Sequence, residues 1–237
     1  MTGTGIKDDP YIPETWDEFV TAVGTSDAYV KLPEGGGVYD LNEINPEGNF
    51  TLQINCTEIQ GNEWEIRNAY NMRVSVYACV ILNLHFLNFY WEKSSESEVF
   101  VDGIYRYCKF SGIISGHNQS VFISGRDNSY CSINVKFVGE SYELNYSDGG
   151  FNFCNISLNH ADSQIPVLLS VSVHGENSLV NHVSNGHNKI YLDGRLCVLC
   201  SDLGNVIADS SGNQIDVTDE QLRDAAYLNS IGFPIVQ

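Results

Sequence analysis

Cysteines recur along this chain at one interval, and that interval constrains the fold more than any other feature. They stand at Cys56, Cys79, Cys108, Cys131, Cys154, Cys197 and Cys200. Cys56 to Cys79, Cys108 to Cys131 and Cys131 to Cys154 are each 23 residues, and Cys154 to Cys200 is 46, twice that step. Asn177 fills the vacant slot, Cys79 to Cys108 is a longer step of 29, and Cys197 stands outside the series. Other columns keep the same register. Two residues after each slot come Ile81, Phe110, Ile133, Ile156 and Leu179; eight before come Phe100, Ile123, Tyr146, Leu169 and Leu192. Six before, Asp102, Gly125, Asp148 and Gly194 recur as turn-forming residues. The agreement of independent columns makes this an internal repeat.

Each repeat holds short strands such as "VFIS", "VLLS" or "CSINV", separated by Gly, Asp, Asn and Ser. Apolar spacing of two residues, broken by turn chemistry, excludes helical repeats of similar length. One such coil cannot bury its own apolar side. Stacking coils gives every strand parallel partners and a continuous core, which is a β-solenoid. Neighbouring strands lie about 4.8 Å apart, so equivalent side chains form ladders, and the thiols are expected to be one inward ladder. Tyr107, Tyr130 and Phe153 directly precede thiols and also stack. A straight strand cannot turn both columns inward, so either the aromatics are outside or the chain bends there.

The repeat and its ladders resemble the right-handed parallel β-helix of the pectate-lyase-like superfold over roughly residues 28 to 208. The resemblance implies an all-β, single-stranded, right-handed parallel β-helix with short capping helices at both ends. The longer step from Cys79 to Cys108 implies six extra residues, which the polar "WEKSSESE" (Trp91 to Glu98) would hold as a loop. Residues 1–27 read as an arm and capping helix, 28–208 as the solenoid, and 209–237 as a capping helix and apolar tail. Thr15 and Glu18 have capping-box spacing ahead of Trp16, Phe19, Val20 and Val23; Thr218 and Gln221 repeat it ahead of Leu222, Ala225, Ala226 and Leu228.

The 30 acidic residues against 12 Lys and Arg give a net charge of −18, which disfavours nucleic acid and anionic membrane as partners. No apolar stretch is long enough to span a bilayer, and the opening residues lack the order of a secretory signal. Reduced, buried thiols are therefore expected, and the Asn-x-Ser/Thr sequons carry little weight.

Several residues could carry chemistry. Asp102 and Asp148 share a column two coils apart, roughly 10 Å by strand spacing. An inverting glycosidase needs carboxyls about 6.5–9.5 Å apart. Asp also favours turns, and Gly125 and Gly194 occupy the same column. Arg126 and Arg195 share another column, without the tight acidic cluster of a calcium-dependent lyase. His160, His174, His182 and His187 fit no zinc spacing, and Cys197-Val-Leu-Cys200 has the redox and metal form without a second pair. Tyr70, Tyr77, Tyr105, Tyr107, Tyr130, Phe151 and Phe153 could form an exposed strip for glycan stacking or pack inside. No cofactor or metal is implied.

The opening "GTG…DPYI" and the closing "TDEQLRDAAYLNSIGFPI" are similar to the ends of structural proteins of tailed bacteriophages of gut bacteria. The resemblance implies a non-enzymatic virion protein assembled in the host cytoplasm, as capsid decoration, head fibre or tail-associated surface protein. Other virion proteins, a further copy of itself (a trimer) and a host-surface glycan are its expected partners. The alternative is a carbohydrate-active glycosidase or lyase of the same superfold. The terminal Ile231, Phe233, Pro234, Ile235 and Val236 form a short apolar run suited to docking beside another subunit.

Overall fold

The computed structural model describes residues 1–93, 100–101, 103–117, 123–124, 127–141, 150–159, 170–176, 178–183, 189–201 and 204–233. Helix α1 (Trp16–Gly24) precedes strands β1 (Tyr29–Lys31) and β2 (Val38–Asp40), helix α2 (Leu41–Ile44), and strands β3 (Thr51–Ile54) and β4 (Glu58–Arg67). Then come β5 (Arg73–Val76), β6 (Val80–Lys93), β7 (Phe100–Val101), β8 (Ile104–Arg106), β9 (Lys109–His117), β10 (Ile123–Ser124) and β11 (Asp127–Ser129). The later coils contain β12 (Ser132–Ser141), β13 (Gly150–Asn152), β14 (Asn155–Asn159), β15 (Ser170–Glu176), β16 (Leu179–Val183), β17 (Lys189–Arg195) and β18 (Cys197–Ser201). Strands β19 (Asn205–Ala208) and β20 (Gln214–Val217) and helices α3 (Asp219–Arg223) and α4 (Ala225–Ser230) complete the order.

The chain is a parallel β-solenoid. Among the described residues the coils pass through up to three straight stretches, and each stretch stacks on its equivalent in the next coil. The first stack runs through the starts of β4 and β6, then β8, β11 and β13. The second runs through the ends of β4 and β6, then β9, β12, β14, β16 and β18. The third joins β3, β5, β7 and β10 in a separate sheet. Strands β4 and β6 are long because they continue through the corner between the first two stacks, where the later coils break. Inward positions alternate with outward ones, and Ile81, Phe110, Ile133 and Ile156 are all buried as the repeat requires.

Corners between stretches use the left-handed conformation. Between the first and second stacks it is taken by Asn83, Tyr107, Tyr130, Phe153 and Leu196, with φ between 50° and 57°. That conformation bends the chain at one residue, so the residues before and after it, which a straight strand would put on one face, lie on opposite faces, as exposed Arg106 and buried Cys108 do. This resolves the aromatic ambiguity. Tyr107, Tyr130 and Phe153 point outward while Cys108, Cys131 and Cys154, the next residues, are buried.

The thiols form two inward columns, not one. Cys56 and Cys79 lie at the corner entering the first stack, with sulfurs 3.5 Å apart. Cys108, Cys131 and Cys154 lie at the corner entering the second stack, where Leu84 is their counterpart one coil earlier. The step from Cys79 to Cys108 therefore crosses between columns. At the far end the sequence reading is corrected again. Asn155 pairs with Leu179, so the vacant slot belongs to the buried Ser178, not Asn177. Leu179 pairs with Val198, so the last thiol of the ladder is the buried Cys197, and Cys200 sits opposite Asn181. Leu179 accordingly falls on an exposed position. The coil from Cys154 to Ser178 is one residue longer than 23, and the next is shorter; a strict period slips against both.

The 29-residue step is thus not a coil with six extra residues, since Val80 pairs with Ile104 and Phe86 with Phe110, each 24 residues on; the local lengths within the coil do differ. Tyr70 bridges to Tyr90, 20 residues on, whereas Val74 pairs with Phe100, 26 residues on, so six residues enter between Tyr90 and Phe100. Trp91–Lys93 belong to β6 and Trp91 is buried; the rest of the expected loop, residues 94–98, lies outside the described residues.

Helix α1 covers the first coil. Phe19, Ala22 and Val23 are fully buried, and the Val23 carbonyl accepts the backbone N–H groups of Asn55 and Cys56. Thr15 caps the helix through Glu18 N, but Val20 is exposed and Ala22 takes the inward place expected for it. The Glu18 carboxylate accepts from Glu14 N rather than closing a capping box. At the other end Thr218 and Gln221 do form the complete box. Yet neither α3 nor α4 buries a residue. The last coil is instead followed by β19 and β20, which pair antiparallel with β18 and with each other. No described helix is long and apolar enough to cross a membrane.

Candidate ligand-binding face

The second stack carries an open groove of about 510 Å³ on its outer surface. Strand pairing builds it. Ser111 of β9 lies beside Asn134 of β12, Ile113 beside Lys136, and Tyr90 of β6 beside Ile113. Asn68 and Asn88, both left-handed corner residues, close one end, and Phe89 and Gly112 line the groove between the two rows. Gly112 is required there, since a Cβ would stand 2.5 Å from the Phe89 carbonyl oxygen. The Asn88 N–H donates to Ser111 Oγ at 3.0 Å, which fixes the hydroxyl and leaves its proton to donate outward. Tyr90 stacks on Tyr70 at 5.5 Å with planes 6° from parallel, and the Tyr70 hydroxyl donates to Glu92 at 2.8 Å. That hydrogen bond raises the Tyr70 pKa and keeps the phenol protonated.

A volume of this size falls in the range of small-ligand sites. Its chemistry is amide, hydroxyl, the aromatic rings of Phe89 and Tyr90, one aliphatic side chain and Lys136. Among the described residues, no carboxylate lines it.

A second outward feature runs along the adjoining corner. Tyr107, Tyr130 and Phe153 stack with centroids 4.9 and 5.0 Å apart and planes within 7° of parallel, each about half exposed. Because the rings cover one another's faces, the ridge offers edges and tips along its side. On its flank Asp127 accepts from Ser129 Oγ at 3.1 Å and Asn152 Nδ2 at 3.4 Å, with Arg106 3.7 Å away. Of the other aromatics considered, Tyr105 and Phe151 are fully buried, and Tyr77 is 76% exposed at a different corner.

A charged group lies one coil earlier. His85 Nε2 meets Glu63 Oε2 at 2.8 Å, and Lys109 Nζ lies 3.8 Å from the same oxygen. The His85 contact, ahead of the opposing cost of burial, lowers the Glu63 pKa. His85 itself is buried, with no hydrogen-bond partner at Nδ1.

Of the catalytic candidates, Asp102, Asp148, Arg126, His160 and His187 lie outside the described residues. His174 and His182 sit in β15 and β16, and register places them beside Asp193 and Ser201 respectively. The C-x-x-C pair is divided by strand alternation: Cys197 and Leu199 are buried, whereas Val198 and Cys200 are half-buried on the opposite face. Its two sulfurs therefore do not converge as a redox or metal pair needs. Among the described residues no group of three or more His, Cys, Asp or Glu side chains could hold a metal ion. Of the terminal docking run, Ile231 and Phe233 are half-buried, and Pro234, Ile235 and Val236 lie outside the described residues.

Neither the groove nor the Glu63–His85 contact is marked by a motif in the sequence. The outward residues of "KFSGIISG" and "SINVKF" follow from period-2 alternation. Their convergence depends on which coils are neighbours and on the bulge in β6 between Phe86 and Phe89. No protein-family model matches the chain, and no curated protein and no solved structure matches it.

Proposed function

We propose that this chain is a non-enzymatic structural module that displays a binding face, as a capsid-decoration, head-fibre or tail-associated protein of a bacteriophage virion. The observation that carries the display role is the ridge of Tyr107, Tyr130 and Phe153. A non-glycine residue in the left-handed conformation costs about 1–2 kcal/mol. Asn and Gly meet that conformation more cheaply, yet three bulky aromatics hold it at a solvent-facing corner. Contiguous exposed aromatic surface of this kind marks contact with a partner. The virion setting rests on the likeness of both chain ends to phage structural proteins. Within it, Ile231, Phe233 and the residues that follow are the attachment segment; they come after α3 and α4, which bury no side chain.

The test is fractionation of a lysate of the natural host carrying the tagged chain. Co-sedimentation with DNA-filled particles is the expected result, and recovery only as free protein overturns the virion role. The carbohydrate-active alternative rests on Asp102 and Asp148. Turnover of host polysaccharide that Asp102→Asn or Asp148→Asn abolishes would establish it in place of the display reading.

A further inference from the structure

We infer that the groove on the outer face of β6, β9 and β12 is a saccharide-binding site, seating one pyranose-sized sugar residue of a longer glycan. The inference deepens the display role and rests on it, supplying the ligand class. Three observations carry it. The two rows of the groove differ in chemistry: Asn88, Ser111 and Asn134 offer amide and hydroxyl groups, while Tyr90 and Ile113 offer apolar surface two residues further along. A sugar ring has that division, with hydroxyls at its rim and C–H groups on its face. Second, Tyr90 lies between Tyr70, stacked on one face, and Ile113, its register partner on the other side, so the ring presents its edge and tip to the groove. Third, the side-chain amides of Asn88 and Asn134 make no hydrogen bond within the described residues, so they can both donate and accept.

Charge narrows the class. The chain carries −18 overall, but among the described residues the groove is lined by no carboxylate and by one cation, Lys136, which already takes part in an interaction within the chain. A phosphate or nucleic-acid ligand calls for several cations, and a hydrophobic ligand would strand the amides unpaired. A neutral sugar, or one carrying a single carboxylate opposite Lys136, satisfies both rows. The open form of the groove lets a glycan enter and leave along the solenoid surface.

The experiment is binding of the intact chain to a printed array of neutral and carboxylated oligosaccharides, followed by titration calorimetry with the strongest ligand. Tyr90→Ala and Asn134→Ala are each expected to weaken that ligand about tenfold or more, in line with loss of one ring contact or one buried hydrogen-bond pair. Circular dichroism melts establish that each variant is folded, and Asn134→Ala, an exposed outward position, serves where Tyr90→Ala proves unstable. Absence of saccharide binding across the array overturns the inference, as does binding that both folded variants retain unchanged. Loss in Lys136→Ala confined to carboxylated ligands assigns the carboxylate to that lysine, and retention of both ligand types removes Lys136 from the site. Particle co-sedimentation is read on the same variants. Incorporation without glycan binding refutes the groove alone, and glycan binding by a chain that never joins particles refutes the virion setting alone.

Discussion

Tyr107 and Tyr130 stand 4.9 Å apart with ring planes 7° from parallel, each one residue ahead of a buried thiol one coil from the next. The left-handed corner residue makes this possible by shifting the alternation, so that Arg106 and Tyr107 both face outward and Cys108 faces inward. Its cost gives a direct test. Tyr130→Ala loses the stacking and keeps the strain, whereas Tyr130→Gly loses the stacking and relieves it. Chemical denaturation is expected to find the glycine variant more stable than the alanine variant by about 1 kcal/mol. The reverse order would mean that the corner is not strained.

The thiols are expected to be slow to react in the native chain. Each of Cys108, Cys131 and Cys154 donates to a backbone carbonyl of the preceding coil at 3.3–3.4 Å. Contact with the Cys108 thiol, together with burial, pushes Cys131 up to about 12 from an ordinary value of 9.0. A raised pKa in the folded state stabilises the fold fully below the ordinary value and progressively less as pH climbs toward the folded one. Melting temperature is therefore expected to fall from about pH 9 upward, and Cys131→Ser should flatten part of that fall. Rapid native labelling of all three thiols by iodoacetamide would contradict the ladder.

Asn128 is fully buried in the column of Tyr105 and Phe151, and neither atom of its amide has a hydrogen-bond partner. An unsatisfied buried polar group costs about 1–3 kcal/mol. Asn128→Leu keeps a similar volume and removes the polar atoms, so thermal melting should rise. A drop of comparable size would show that the amide is satisfied by bound water.

Glu63 bears on acid stability. Its pKa lies below the ordinary carboxylate value of 4.5, held there first by the His85 hydrogen bond and then by the charges of His85 and Lys109. A depressed carboxyl stabilises the fold above its ordinary pKa and loses that contribution as pH falls through the folded value. Glu63→Gln should therefore lower melting temperature near neutrality and shrink the decline seen below about pH 4.5. An unchanged acid limb would show that Glu63 is silent.

Deleting residues 219–237 is expected to leave the cooperative melt of the solenoid nearly unchanged, because α3 and α4 bury no side chain. Differential scanning calorimetry of the truncated chain reads this directly. A large loss of stability would place the tail in the core instead of at an attachment point.

The solenoid was legible because a ladder writes itself into sequence as a period. A thiol is small and apolar enough to recur at a crowded corner, and strand alternation marks Ile81, Phe110, Ile133 and Ile156 as inward. The columns were misjoined because two corners of one coil use the same residue type. Spacing alone cannot tell Cys79 at one from Cys108 at the other. It also cannot see a one-residue slip such as the one that moves the slot to Ser178 and the final ladder thiol to Cys197. The groove was illegible for a different reason. Asn88, Ser111, Tyr90 and Asn134 carry no motif, and only the register of three coils brings them together.

The antiparallel turn made by β19 and β20 decides whether this object has a definite length. In a parallel solenoid the final coil has the same hydrogen-bonding pattern as every coil before it, so it is a template on which a further copy could grow. Here Cys197, Val198 and Leu199 pair antiparallel with Ala208, Ile207 and Val206, and β19 in turn pairs antiparallel with β20. A first coil of a second molecule, which adds in parallel, meets the wrong pattern there, while α1 lies across the opposite opening. A further coil adding in parallel on the second stack would have to displace β19 from β18, so strand pairing, and not charge alone, guards that edge.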